Sequence, residues 1–310
     1  MSQIFLMGEC MAELQEVTPG HLRQSFAGDF YNTAVYLKRA FPHIDTCLLT
    51  AVGNDKLSDA MLAHCKQERL DCSSVLRSPE RIPGLYWINT DAEGERTFTY
   101  WRDNSAARQL MSLMDEAVRE RLTHADWFFF SGISLAVIEP QDRPLLWALL
   151  ADLKHAGVKI AFDPNYRARL WPDADVAKQH FEQAFGLCDL LLPGVDDFIQ
   201  LYGVKDAAQI RTLLNPFHIT EVVLKNGPAE ICYIAGDLME TYPVTPAVNV
   251  VDTTSAGDSF NGVFLGARLS GMPVVTAIEW AAATAGLVIQ HPGAIIPAEI
   301  FNHFWESMAK

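Results

Sequence analysis

The sequence predicts an α/β protein: a mainly parallel sheet with helices on both faces and a small β elaboration. Three observations carry that expectation. Short apolar runs alternate with longer amphipathic stretches for most of the chain, the pattern of βαβ units. Several of the short runs, 127–131 and 159–163 among them, are apolar without alternation, as strands buried on both faces must be. The length of 310 residues, with 49% hydrophobic and 20% charged residues, suits one large α/β domain with an addition.

Taken in order, strands are expected at residues 4–7, 46–52, 127–131, 159–163, 189–192 and 221–224, with Val250 and Val251 closing another. Helical periodicity covers 33–41, 55–67, 140–155, 174–187, 196–202, 207–214, 259–269 and 274–289. Two regions break the rhythm. Residues 14–27 are polar and mixed, and residues 85–101 read as a hairpin around Asp91-Ala92-Glu93-Gly94. Alternation puts Tyr86, Ile88 and Thr90 on one face of its first arm, and Phe98 and Tyr100 on one face of the second. So small a sheet must pack on something else. The two regions are expected to form one lid, discontinuous in sequence at about 10–27 and 83–103, on a single domain spanning residues 1–310.

A formal net charge of −14 argues against nucleic acid or an anionic membrane as partner. Six scattered cysteines show neither CxxC nor metal spacing, and read as buried thiols of a reducing compartment. The start, MSQIFLMGE, has neither a basic leader nor a spanning apolar run, so a soluble cytoplasmic protein is expected. GxxxxGK[ST], GxGxxG after a strand, GxSxG and HExxH are all absent.

The stretch VVDTTSAGDSFNG, residues 250–262, is a strand-to-helix turn of small residues followed by a helix. Backbone amides and the helix start would there face an anion. Asp258 inside such a site is either a functional carboxylate or, with Ser255, a capping box. Gly28-Asp29 with Asn32 offers a close backbone approach and polar groups for vicinal hydroxyls, or simply a turn with Asp29 as N-cap. Asp163-Pro164-Asn165-Tyr166-Arg167 follows a strand where open sheets bind ligands; the plain alternative is a turn with an Asp–Arg pair. Arg102 stands at the root of the lid, either meeting an anionic substrate or lying exposed along an aromatic surface. Lys225-Asn226-Gly227 ends a strand and suits nucleotide phosphates or a simple turn; Asp196 and Asp197 suit Mg²⁺ held through water or a helix cap.

Together these residues resemble the ribokinase-like (PfkB) carbohydrate kinases, whose C-terminal signature is usually DTTGAGD and whose N-terminal glycine signature matches Gly28-Asp29 with Asn32, although Ala27 replaces its first glycine. The resemblance runs essentially end to end and implies the three-layer ribokinase-like fold with a β lid. GECMAEL at 8–14, PGLYWINTDAEGERTFTYWR at 83–102, SGISLA at 131–136, FDPNYRARLW at 162–171 and GAIIP at 293–297 are similar to 2-dehydro-3-deoxygluconokinases, which phosphorylate the 6-hydroxyl of 2-keto-3-deoxygluconate with ATP.

The resemblance implies that Asp258 takes the hydroxyl proton, with Ala256, Gly257 and the Asp258 backbone as anion hole. It places Gly28, Asp29 and Asn32 on sugar hydroxyls. Tyr86, Tyr100, Arg102 and Arg167 would surround the keto-acid end. Asn165, Lys225, Gly227 and Ser255 would lie along ATP. It further implies Mg²⁺, with Asp197 replacing the glutamate of the NxxE motif, and a monovalent cation such as K⁺ near Asp252. Apart from the resemblance, the apolar lid face of Tyr86, Ile88 and Phe98 reads either as a cover for substrate or as a surface that pairs with another lid in a homo-oligomer. Ser255 departs from the glycine of GAGD, and Gly194 stands where NxxE has asparagine. A fructokinase or other ketose kinase is the alternative substrate reading, and a silent sugar- or nucleotide-binding regulator the alternative outside catalysis.

Overall fold

The structure is a computed structural model describing residues 2–18, 20–90 and 96–308. Strand β1 (Gln3–Met7) leads into a hairpin of β2 (Met11–Thr18) and β3 (His21–Ala27), then helix α1 (Asp29–Ala40), β4 (Asp45–Val52), α2 (Lys56–Gln67) and β5 (Val75–Arg77). A second hairpin, β6 (Leu85–Thr90) and β7 (Arg96–Trp101), precedes α3 (Leu110–Leu113) and α4 (Glu116–Leu122). The turn expected at 91–94 lies outside the described residues. Then come β8 (Trp127–Ser131), α5 (Gly132–Val137), α6 (Arg143–His155), β9 (Lys159–Asp163), α7 (Ala174–Phe185), β10 (Leu190–Leu191), α8 (Val195–Tyr202) and α9 (Ala207–Leu214). A meander of β11 (Glu221–Asn226), β12 (Glu230–Ala235) and β13 (Leu238–Pro243) is followed by α10 (Ala256–Leu269), α11 (Val274–Val288) and α12 (Ala298–Met308).

Among the described residues the large sheet has nine strands in the order β13-β12-β11-β10-β9-β8-β1-β4-β5. Pairing is parallel from β5 to β11 and antiparallel through β12 and β13. Successive strand residues feed opposite cores. Phe5, Cys47, Phe128, Ile160 and Leu191 pack with α3 to α9, whereas Ile4, Leu48, Phe129, Ala161 and Leu190 pack with α1, α2 and α10 to α12. Apolar side chains on both faces explain why these strands read as continuous apolar runs.

The second sheet has the order β3-β2-β6-β7. Its two hairpins join through a parallel β2–β6 pair, from Ala12 opposite Leu85 to Gln15 opposite Ile88, so the chain does reach this sheet twice. Residues 14–27, polar and without period, form most of its first hairpin.

Several expectations need correction. Val250 and Val251 close no strand. They are about half exposed, and the amides of Val251 and Asp252 donate to Ile289 O at the end of α11 instead of to a sheet neighbour. The sequence reading does not include strands β5, β12 and β13 or helices α3, α4, α5 and α12. β13 is an edge strand with an exposed side, so it lacks an apolar run, and α5 is too short for helical periodicity to show. Helix α1 begins at Asp29, not residue 33, with Gly28 as N-cap. The helix expected from 259 begins at Ala256.

Candidate active site

The carboxyl ends of β8, β9 and β11, the start of α1, the start of α10 and the inner face of the lid surround a cavity of about 650 Å³. A switch point of the parallel sheet stands nearby, where β1 sits between β4 and β8.

The cavity is anchored by the crossing of α1 and α10. Gly262 makes the crossing possible: a Cβ there would lie 2.4 Å from Thr33 O and 2.9 Å from Leu37 N. Gly28 allows the chain to enter α1, since a Cβ would sit 2.2 Å from Glu9 O. With the helices this close, Asn32 Nδ2 donates to Asp258 Oδ2 at 2.8 Å. Burial, then the neighbouring Asp29, push the Asp258 carboxyl up to about 7, opposed by the Asn32 hydrogen bond. Asp29 is also raised, chiefly by burial and partly offset by a hydrogen bond to Ser131; Asn165 Nδ2 donates to it at 3.2 Å.

The capping-box alternative for Asp258 fails. Ser255 sits at φ 65° with no side-chain cap bond, and its Oγ is buried without a partner among the described residues. The left-handed residue turns the chain so that the first amides of α10 enter the cavity beside Asp258. Asn165, at φ 35°, is another strained residue of the same wall, and Gly227 at φ 52° is a third left-handed position. Asp29 does not cap α1 either, being its first helical residue.

Lys225, at the end of β11, donates to Asn261 Oδ1 at 2.9 Å and lies 3.4 Å from Asp163 Oδ2. Asn261 Nδ2 in turn donates to Asp163 Oδ2 at 2.6 Å. The ammonium is thereby held 3.8 Å from the position a Cβ on Gly257 would take, beside the helix start. Asp163 thus pairs with lysine, and the Asp–Arg pair of the plain alternative is not made: Arg167 is exposed and donates to Tyr166 O.

Asp197 accepts from Gly194 N at 2.8 Å and Tyr166 N at 2.7 Å, so it does cap α8. Burial and nearby Asp163 push it up to about 6 despite those amides. Both of its oxygens are engaged, leaving a second lone pair on each for water around a metal ion. Asp252 accepts from Thr254 N at 3.1 Å and Gly293 N at 2.7 Å, drawing the turn before α10 onto the loop that carries Ala294.

On the lid, Tyr86 and Tyr100 are cross-strand partners with rings stacked at 5.5 Å, and Tyr86 donates to Glu13, whose Oε1 also accepts from Ser25 at 2.7 Å. Tyr86, Ile88, Phe98 and Tyr100 share one face as the alternation required; the Thr90 side chain lies outside the described residues. Arg102 is neither exposed nor free. It is 8% exposed and forms a buried ion pair with Glu9. Sequence reasoning assigned no role to Glu9, Asn261 or Arg169, all of which lie on the cavity wall or hold it. Asn261 follows Asp258 by three positions and so shares its helix face, a signal available beforehand. Glu9 carried none, because only the fold brings it to Arg102.

No helix among the described residues is long and apolar enough to cross a membrane, and the six cysteines are free thiols.

Residues 1–300 match the model of the pfkB family carbohydrate kinases. The 2-dehydro-3-deoxygluconokinase of Escherichia coli (strain K12) is 38% identical over 307 residues, covering 96% of this chain and 98% of that protein. A fructokinase of Klebsiella pneumoniae is 28% identical over 273 residues, covering 87% and 86% respectively. Among solved structures, the Thermotoga maritima 2-dehydro-3-deoxygluconokinase superposes with a TM-score of 0.83 at 21% identity, over 99% of this chain and 100% of that one. With family model, sequence relatives and fold in agreement, the chain belongs to the pfkB family of carbohydrate kinases.

Proposed function

We propose that the protein is an ATP-dependent 2-dehydro-3-deoxygluconokinase, acting through one kinase domain whose β lid covers the sugar. The observation that carries this reading is Asp258, hydrogen-bonded to Asn32 at the head of α10 and facing the same cavity as Arg167 and Arg169. One end of that cavity suits proton acceptance and phosphoryl charge, and the other an acid.

Phosphoryl transfer requires alignment and charge neutralisation more than covalent help. The sugar's 6-hydroxyl is far less acidic than a carboxylic acid, so Asp258 orients it and takes its proton late, as the O–P bond forms and the bond to ADP breaks. The amides at Ala256, Gly257 and Asp258 then receive charge on the phosphoryl oxygens without rearranging. Lys225 adds positive charge beside them. Gly28, Asp29 and Asn32 hold sugar hydroxyls, Tyr86 and Tyr100 flank the acid end, and the lid excludes water as a competing acceptor. Asn165, Gly227 and Ser255 border the nucleotide. Mg²⁺, when bound, neutralises phosphate charge; the donors present for its water shell are Asp196 and Asp197. Asp252 is the candidate for a monovalent cation such as K⁺, sharing oxygens already bonded to backbone amides. Exposed Val17, Leu22 and Trp101 on the lid support pairing with a second copy.

The fructokinase reading has one observation in its favour: Glu9 neutralises Arg102, which removes one guanidinium from the acid end. A panel of both keto-deoxy acids (gluconate- and galactonate-derived), fructose, ribose and adenosine with coupled ADP detection decides. The proposal expects turnover to concentrate on a keto-deoxy acid; preference for fructose overturns it.

A further inference from the structure

We propose that Arg169 is a specificity-determining residue that reads the substrate's carboxylate from a guanidinium held ready on the Tyr100 ring. The inference rests on the acid-substrate reading above and goes beyond it by locating the charge that selects the acid.

Three observations converge. Arg169 Cζ lies 3.9 Å from the Tyr100 ring centroid, the closest of the cation–ring contacts among the described residues. A guanidinium that near a centroid lies over the ring face, which leaves its N–H edge outside the stack and open to a planar acceptor. Both residues line the cavity, Arg169 from the turn after β9 and Tyr100 from the lid, so the contact spans the cleft that a sugar enters.

The other cations of the wall are differently committed. Arg102 Nη2 is spent on Glu9, and its Nε is buried without an acceptor among the described residues; that pair brings almost no net charge to the cavity. Lys225 is engaged by Asn261 and Asp163 at the phosphoryl end. Arg167 donates to a backbone carbonyl, whereas Arg169 has neither a hydrogen bond nor an ion pair to any described residue. A guanidinium whose side chain is already ordered by a ring, and whose N–H edge is committed to no described residue, loses little freedom when it pairs with a carboxylate. Tyr100 is itself backed by the Tyr86 ring, whose hydroxyl is anchored to Glu13, so the ring under Arg169 is supported by its neighbours.

The test measures dissociation constants by calorimetry for the keto-deoxy acid and for its uncharged carboxamide, on the intact protein and on Arg169→Ala, Arg169→Lys, Tyr100→Phe and Arg102→Ala. Arg169 is exposed on a turn, so its replacement spares the core. A charge-assisted pair predicts that the unsubstituted protein prefers acid to amide by about 10- to 100-fold, and that Arg169→Ala removes most of that preference while amide affinity changes less than about threefold. Tyr100→Phe keeps the platform and the preference; Arg169→Lys restores part of it. Equal weakening of acid and amide in Arg169→Ala reduces Arg169 to a lid contact and overturns the proposal. So does a preference that survives in Arg169→Ala and vanishes in Arg102→Ala. Absence of any acid preference in the unsubstituted protein overturns instead the acid-substrate reading on which the proposal stands.

Discussion

Asn32 and Asp258 are 226 residues apart in sequence and 2.8 Å apart in space, one on each of two helices that cross without side chains between them at Gly262. The hydrogen bond steadies a carboxylate that burial and Asp29 would otherwise hold protonated to still higher pH. On the proposed reading, Asp258 is therefore placed to accept a proton late from a weakly acidic hydroxyl.

Replacing Asp258 by Asn should leave the fold and substrate binding intact and lower kcat by at least ~100-fold, the scale of losing a general base. Steady-state kinetics with circular dichroism check this; near-normal kcat would remove the base assignment.

The same carboxyl predicts two pH effects. In the free enzyme kcat/KM should climb as pH rises through about 7, where Asp258 deprotonates, and Asp29→Asn should move that limb to lower pH. The folded value is raised above the ordinary carboxylate range, so the stability Asp258 contributes is full below that range and lost as pH rises through about 7. Asp258→Asn does not titrate, so its melting temperature should gain on the unsubstituted protein between pH 5 and pH 8. A gap independent of pH would contradict the assigned burial.

Asn261 bridges Lys225 and Asp163, accepting from the one and donating to the other. Asn261→Ala should cost about 1–3 kcal/mol, because a buried carboxylate loses its closest donor. It should also raise KM for ATP several-fold with little change in KM for the sugar. Denaturant titration and separate substrate titrations read the two effects, and a rise in sugar KM alone would contradict the phosphate-side placement of Lys225.

Two glycines in helix interiors should respond oppositely to alanine. At Gly262 the added methyl meets the α1 backbone at 2.4 Å, so Gly262→Ala should lose roughly 1–3 kcal/mol and displace Asp258 from Asn32, lowering kcat. At Gly286, inside α11 with nothing within 4 Å, the same change should stabilise by about 0.5–1 kcal/mol without touching kcat. Thermal melts of the pair give the comparison.

Ser255 occupies a left-handed conformation that glycine adopts freely. Ser255→Gly should therefore raise stability by about 1 kcal/mol and retain activity. A drop in melting temperature would mean that Oγ has a role the described contacts do not reveal.

The central strands were legible because burial on both faces leaves an unmistakable apolar run. The meander strands were not: Leu238 to Pro243 is an edge whose exposed residues look like loop. Val250 and Val251 misled in the opposite way, since β-branched residues favour a strand but here cross solvent-exposed space between β13 and α10. In the site, Asp258, Lys225 and the tyrosines stood in motifs that sequence reading singled out, and the structure gathers them around one cavity. The Glu9–Arg102 pair was not, because its members are 93 positions apart and only the lid's return brings them together.

The last strand ends at Pro243, and Asp258 follows on the first turn of α10. Chains leave the ribosome from the N-terminus, so every described strand of both sheets emerges before Asp258 does. A nascent chain that has not reached α10 lacks Asp258 and the helix-start amides together, and on the proposed reading it cannot yet spend ATP on water.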